Sequence, residues 1–171
     1  MDRPCILIAG IGNIFLGDDA FGSEVARRLC QRGLPDEVRV TDFGIRGFDL
    51  AYALLDDYDA TILVDATPRG GEPGALYLIE PELSEFNEPD AGALMVEPHG
   101  MNPLKVLGLA KAMGGSFRRI LLIGCEPASF GGEDGAMGLS EPVAAAVDEA
   151  IRMIESLVTE ILNEHRCAAV L

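Results

Sequence analysis

Four short runs of the chain, residues 4–9, 37–42, 60–65 and 118–125, are rich in Ile, Val and Leu and bounded by Gly, Pro or Asp. Three of the four show little polar alternation, the pattern of strands covered on both faces in a parallel sheet packed between helices. Between the runs, apolar positions recur at helical spacing. Residues 19–33 set Phe21, Val25 and Leu29 on one face, and residues 47–57 carry Leu50, Ala53 and Leu54. Asn102-Pro103 ahead of Leu104, Val106, Leu107 and Ala110 reads as a cap residue followed by Pro at the first helical position. The longest helix opens at Ser140-Glu141-Pro142 and runs to about residue 164, with Val143, Val147, Ile151, Ile154, Val158 and Ile161 in its apolar stripe.

A fifth strand, residues 75–79, follows the third after only the segment from Thr67 to Gly74. A parallel crossover needs a dozen or more residues, so this strand is predicted to run antiparallel and the sheet to be mixed. Residues 81–98 hold four Glu, one Asp and three Pro without periodicity and read as a long acidic loop. With 171 residues, 49% of them hydrophobic, the chain can bury one sizeable core and is short for two, so a single domain over residues 1–171 is expected. The apolar runs fall far below the roughly 18 residues of a membrane span. The first of them leads into a Gly-rich turn rather than a cleavage site, so the expected compartment is the cytoplasm.

Charge narrows the partners. The formal net charge is −15, from 28 acidic and 13 basic residues, and the only basic doublets are Arg27-Arg28 and Arg118-Arg119. Such a surface repels polyanions, which argues against nucleic acid and anionic membranes. The cysteines at 5, 30, 125 and 167 form no CxxC pair; Cys5, Cys30 and Cys125 are expected as reduced thiols inside core elements.

Candidate chemistry gathers where strands end. The segment from Gly10 to Asp19 superficially resembles a dinucleotide phosphate loop, with Asp42 as the ribose-binding acid. Phe15 occupies the place of the third glycine, however, and Asp18-Asp19 stand where a pyrophosphate would have to bind. Helix capping accounts for one Asp of that pair, not both. Asp42 closes the second strand and Asp65 the third, so Asp19, Asp42 and Asp65 are predicted to share the rim formed by the carboxyl ends of the strands. Carboxylates about 5 Å apart repel by roughly 3 kcal/mol at an effective dielectric of 20, a cost that a shared proton or a bound cation removes. His99, in Glu97-Pro98-His99-Gly100, is the natural companion. An imidazole with carboxylates and an open position suits a borderline divalent metal of the hydrolytic kind; a structural histidine is the alternative.

These motifs together resemble the nickel-iron hydrogenase maturation endopeptidases. The resemblance rests on Gly10-Ile11-Gly12-Asn13, Gly17-Asp18-Asp19-x-x-Gly22, Asp42-x-Gly44 with Gly47, Val64-Asp65-Ala66, Pro98-His99, Gly124-x-Glu126-Pro127 and Gly138-Leu139-Ser140, over roughly residues 5 to 160. It implies a three-layer α/β/α fold with a twisted five-stranded mixed sheet, one strand antiparallel. It also implies removal of a C-terminal extension from a hydrogenase large-subunit precursor after nickel insertion. Asp19, Asp65 and His99 match the family's metal-binding triad, and Asp42 a further family Asp near the site. The nickel would be carried by the precursor, and another divalent metal could replace it in vitro. Ala20 and Glu97 depart from the commonest pattern without removing a ligand. The expected chemistry is metal-assisted hydrolysis of a peptide bond, with Asp42 as the candidate carboxylate that handles the proton. No Ser-His-Asp or Cys-His arrangement competes with it. A nickel-site docking protein without proteolysis and a dinucleotide-binding protein are the alternatives.

Overall fold

A computed structural model describes residues 4–86 and 101–168. Its five strands are β1 (Ile6–Ile11), β2 (Val38–Gly44), β3 (Ala60–Ala66), β4 (Leu76–Ile79) and β5 (Ile120–Cys125). They form one sheet in the order β2-β1-β3-β5-β4. β1 pairs in parallel with β2 and β3, β3 in parallel with β5, and β4 antiparallel with β5, as the short connection before β4 requires.

Period-two alternation divides the strands between two cores. Ile6, Ile8, Ile62, Val64, Leu121 and Ile123 pack with α1 (Phe21–Leu29) and α4 (Glu141–Ala168). Leu7, Ala9, Leu63, Ile120 and Leu122 pack with α2 (Gly47–Ala53) and α3 (Pro103–Ala112) on the opposite face. All side chains of β1, β3 and β5 are buried, which is why their sequences lack polar alternation. The result is the expected α/β/α layering around a mixed sheet.

Several local expectations shift. α1 begins at Phe21 rather than residue 19, because Gly17–Ala20 forms a 3-10 turn. Neither Asp of the acidic pair caps it: Ala20 is its N-cap and makes no side-chain cap bond. By contrast, Asn102 caps α3 as predicted, its Oδ1 accepting from the Leu104 N–H at 2.9 Å. Cys5 and Cys30 are exposed, not buried, because one precedes β1 and the other follows α1; only Cys125 lies in the core. Within the predicted acidic loop, Leu83–Phe86 forms a 3-10 turn. The rest of that loop and His99 lie outside the described residues.

Candidate active site

Asp65 is the next-to-last residue of β3 and continues the face of Leu63, so its side chain stands on the α2/α3 side of the sheet. It is 7% exposed. Burial, and then the negative charge of Asp19, push its carboxyl well above the usual range, while the Ala66 N–H pulls it down. Asp19 reaches the same place from the turn after β1. Its Oδ2 accepts from the Asn13 N–H at 2.8 Å, but burial outweighs that bond and raises its pKa as well. Both acids line one cavity of about 510 Å³, walled by Leu16, Thr67, Pro68, Met101, Leu104 and Phe130.

Glycine makes this juxtaposition possible. A Cβ on Gly22 would run into the carbonyl oxygens of Ile11 and Val64, so only glycine lets α1 sit directly on the ends of β1 and β3. Gly12, with φ +143°, likewise faces the Asp19 carbonyl where no side chain fits. A Cβ on Gly10, within β1, would strike the Gly22 carbonyl, so the Gly10-x-Gly12 at the end of β1 serves backbone packing.

Asp18 points the other way and is fully buried. Its Oδ1 accepts from the Ser140 N–H at 2.7 Å, and its Oδ2 accepts from the Ala128 N–H at 2.7 Å, the Ser129 N–H at 3.0 Å and the Ser140 hydroxyl at 2.9 Å. Burial alone would raise its pKa, but these bonds, led by the Ser140 N–H, hold it below the usual value. Asp18 thus ties the turn to the loop after β5 and to the start of α4. Glu126, 5% exposed, is held in the same manner by the backbone beyond β3, accepting from the Arg69 N–H at 2.8 Å and the Gly70 N–H at 3.1 Å. The Tyr77 hydroxyl donates to it at 2.8 Å. Together with the Gly71 N–H, these bonds overcome its burial and lower its pKa. Between the two acids, burial first, and then the charges of Asp18 and Glu126, push the Cys125 thiol up to about 12, so it is no nucleophile.

Asp42 ends up elsewhere. It continues the face of Val38 and Val40, which pack on the α1/α4 side, opposite to Asp65. Its Oδ1 accepts from the Ser23 hydroxyl at 2.8 Å and the Gly44 N–H at 2.9 Å. It lines a separate cavity of about 530 Å³ with Ile14, Arg27, Arg28 and Met137. Asp42 therefore shares the rim with Asp19 and Asp65, but not their cavity. His165 stands 3.1 Å from Asp59, which precedes β3 at the far end of the sheet. Among the described residues no group of three or more His, Cys, Asp or Glu is placed to hold a metal ion. His99, the third residue of the expected triad, lies outside the described residues. The sequence offered Asp18 as a motif position and a helix-cap candidate and Glu126 as a motif position alone; their anchoring roles had no local signal beyond the acidic doublet and the Glu-Pro step.

A parallel-rich α/β sheet with a two-carboxylate cleft at its strand ends defines the class of protein. Within that class, residues 23–157 match the family described as hydrogenase maturation protease. The chain belongs to that family. It is 35% identical to the hydrogenase expression/formation protein HoxM of Azotobacter vinelandii over 162 residues, covering 94% of this chain and 75% of that one. A hydrogenase 2 maturation peptidase from a Thaumarchaeota archaeon superposes with a TM-score of 0.70 at 32% identity, over 91% of this chain and 98% of that one. The hydrogenase maturating endopeptidase HybD of Escherichia coli superposes with a TM-score of 0.69 at 27% identity, over 91% and 93%. No helix among the described residues is long and apolar enough to cross a membrane.

Proposed function

We propose that this protein is an endopeptidase that removes the C-terminal extension of a nickel-iron hydrogenase large-subunit precursor after nickel insertion. The observation that carries this reading is the Asp19–Asp65 pair. Two acids with raised pKa values share one cleft at the strand ends, and their unmet negative charge suits a cation delivered there. Nickel arrives as cargo of the precursor, and Asp19, Asp65 and His99 read it. Bound between them, it would supply polarisation of the scissile carbonyl. Asp65, held rigidly by β3, and Asp19, held by the Asn13 N–H, orient the precursor about that centre. Asp42, on the opposite face of the sheet and in a separate cavity, is less well placed to handle a proton at that centre.

A polypeptide substrate is also consistent with the rim. Phe130 and Leu104 on the wall of the cleft are exposed, as are Phe15 in the turn after β1 and Ile14 and Met137 at the separate Asp42 cavity, apolar positions suited to a docking protein. The test is to follow the C-terminal mass of a nickel-loaded precursor incubated with wild-type enzyme and with Asp19→Asn, Asp65→Asn and His99→Ala. Normal processing by all three variants would remove the triad. Tight binding without any change in mass would favour docking alone.

A further inference from the structure

The loop that leaves β3 carries Thr67 and Pro68 into the wall of the Asp19–Asp65 cleft, and it then turns back through residues 69–75 to begin β4. Backbone bonds fix its two ends to β5, the Thr67 N–H donating to the Cys125 carbonyl and the Gly74 N–H to the Glu126 carbonyl at 2.8 Å each, and one side chain, Glu126, holds the stretch between them. Glu126 is fixed at its backbone, its N–H donating to the Ala75 carbonyl at 2.8 Å and its carbonyl accepting from the Gly74 N–H at 2.8 Å. From that post its carboxylate reaches across to the backbone N–H groups of Arg69 and Gly70, and the Tyr77 hydroxyl steadies it. The Arg69 guanidinium lies over the Tyr77 ring, 5.4 Å from its centroid. The neighbouring glycines leave room for this clasp: a Cβ on Gly124 would strike the Thr67 side chain, and one on Gly71 would strike the Tyr77 hydroxyl.

We infer that Glu126 is a positioning residue for this protease: by clasping residues 69–71 it sets the Thr67–Pro68 wall, and so governs recognition of the precursor segment rather than the chemical step. The inference rests on the proteolytic reading of the cleft. Glu126 lies beyond the cleft lining and touches no reacting atom. Removing its charge loosens a wall while leaving Asp19 and Asp65 on their own supports.

Glu126→Gln is the sharpest variant, because its amide keeps the size of the side chain but turns an N–H₂ toward groups that are themselves donors. Two measurements are made together. Amide hydrogen exchange at Arg69, Gly70 and Gly71 is expected to quicken by about tenfold or more, with exchange in β1 and β3 unchanged. Processing of the nickel-loaded precursor is expected to show KM raised by about tenfold with kcat within about twofold. Tyr77→Phe, which removes one donor and leaves the N–H groups in place, gives a smaller rise in KM and serves if Glu126→Gln folds poorly. Unchanged exchange would show that the carboxylate does not hold the loop. Faster exchange with an unchanged KM, or a fall in kcat alone, would show that the loop is scaffold and no part of recognition. Failure of the wild-type enzyme to cut the precursor would overturn the proteolytic reading itself, while the exchange measurement would still decide whether Glu126 clasps the loop.

Discussion

Two pairs of acids border the carboxyl ends of β1, β3 and β5, and the protein solvates them in opposite ways. Asp18 and Glu126 are surrounded by backbone N–H donors that replace lost water, so burial leaves them ionised and stabilising. Asp19 and Asp65 are also withdrawn from water, but each gains one backbone N–H, and Asp65 faces the charge of Asp19. The first pair spends its hydrogen-bonding capacity on holding loops, while the second keeps that capacity open toward the cleft. That contrast separates framework from reactive centre more sharply than residue type or depth does, since Asp18 and Asp19 are adjacent in the chain.

The largest effect should fall on the open pair. Asp65→Asn is expected to lower processing of a nickel-loaded precursor by about a thousandfold, read from the mass of the product C-terminus. The same variant should be more stable than the wild type at neutral pH. A carboxyl whose folded-state pKa is raised destabilises the fold once ionised, so the gain should shrink as pH falls toward the ordinary aspartate value, where both states are protonated. Urea titrations at several pH values check that sign; a variant less stable at pH 7 would break the comparison.

The saturated pair should respond in reverse. Asp18→Ala leaves the N–H groups of Ala128, Ser129 and Ser140 without their acceptor and is expected to cost about 3 kcal/mol in urea unfolding, with activity lost through unfolding. Because the folded-state pKa of Asp18 is lowered, its contribution is complete above the ordinary aspartate value and disappears as pH falls through the lowered one. The wild-type and variant stability curves should therefore converge in acid.

Asp42 supplies the smallest effect and a control on position. Its carboxylate serves Ser23 and the Gly44 N–H on the opposite face of the sheet, so Asp42→Asn should cost about 1 kcal/mol and change kcat by less than about tenfold. A loss of kcat as deep as that of Asp65→Asn would return Asp42 to the proton-handling role that its place at a strand end suggested.

Much of the architecture was legible because its causes are local. Buried strands read as continuous apolar runs, helices as stripes, and the reversal of β4 followed from a connection too short for a crossover. Asn102 announced its cap by composition and spacing alone. The rim position of Asp65 followed from the end of the β3 run. The same local logic misplaced Cys5 and Cys30, which sit just past the ends of their elements, where a one-residue boundary decides exposure.

The sequence alone thus determined the layers, the direction of the strands and the set of acids at their ends, because these depend on periodicity, turn residues and connection lengths. Only the tertiary structure divided those acids by role. Asp18 finds its donors 110 to 122 residues away, and Glu126 finds its own 49 to 57 residues away, on segments that meet only after the sheet has formed. Whether Asp42 and Asp65 share a cavity depended on which face of the pleated sheet each strand presents to α1 or α3. A carboxylate's charge state is set by the donors and charges that packing brings to it, and no spacing along the chain records them.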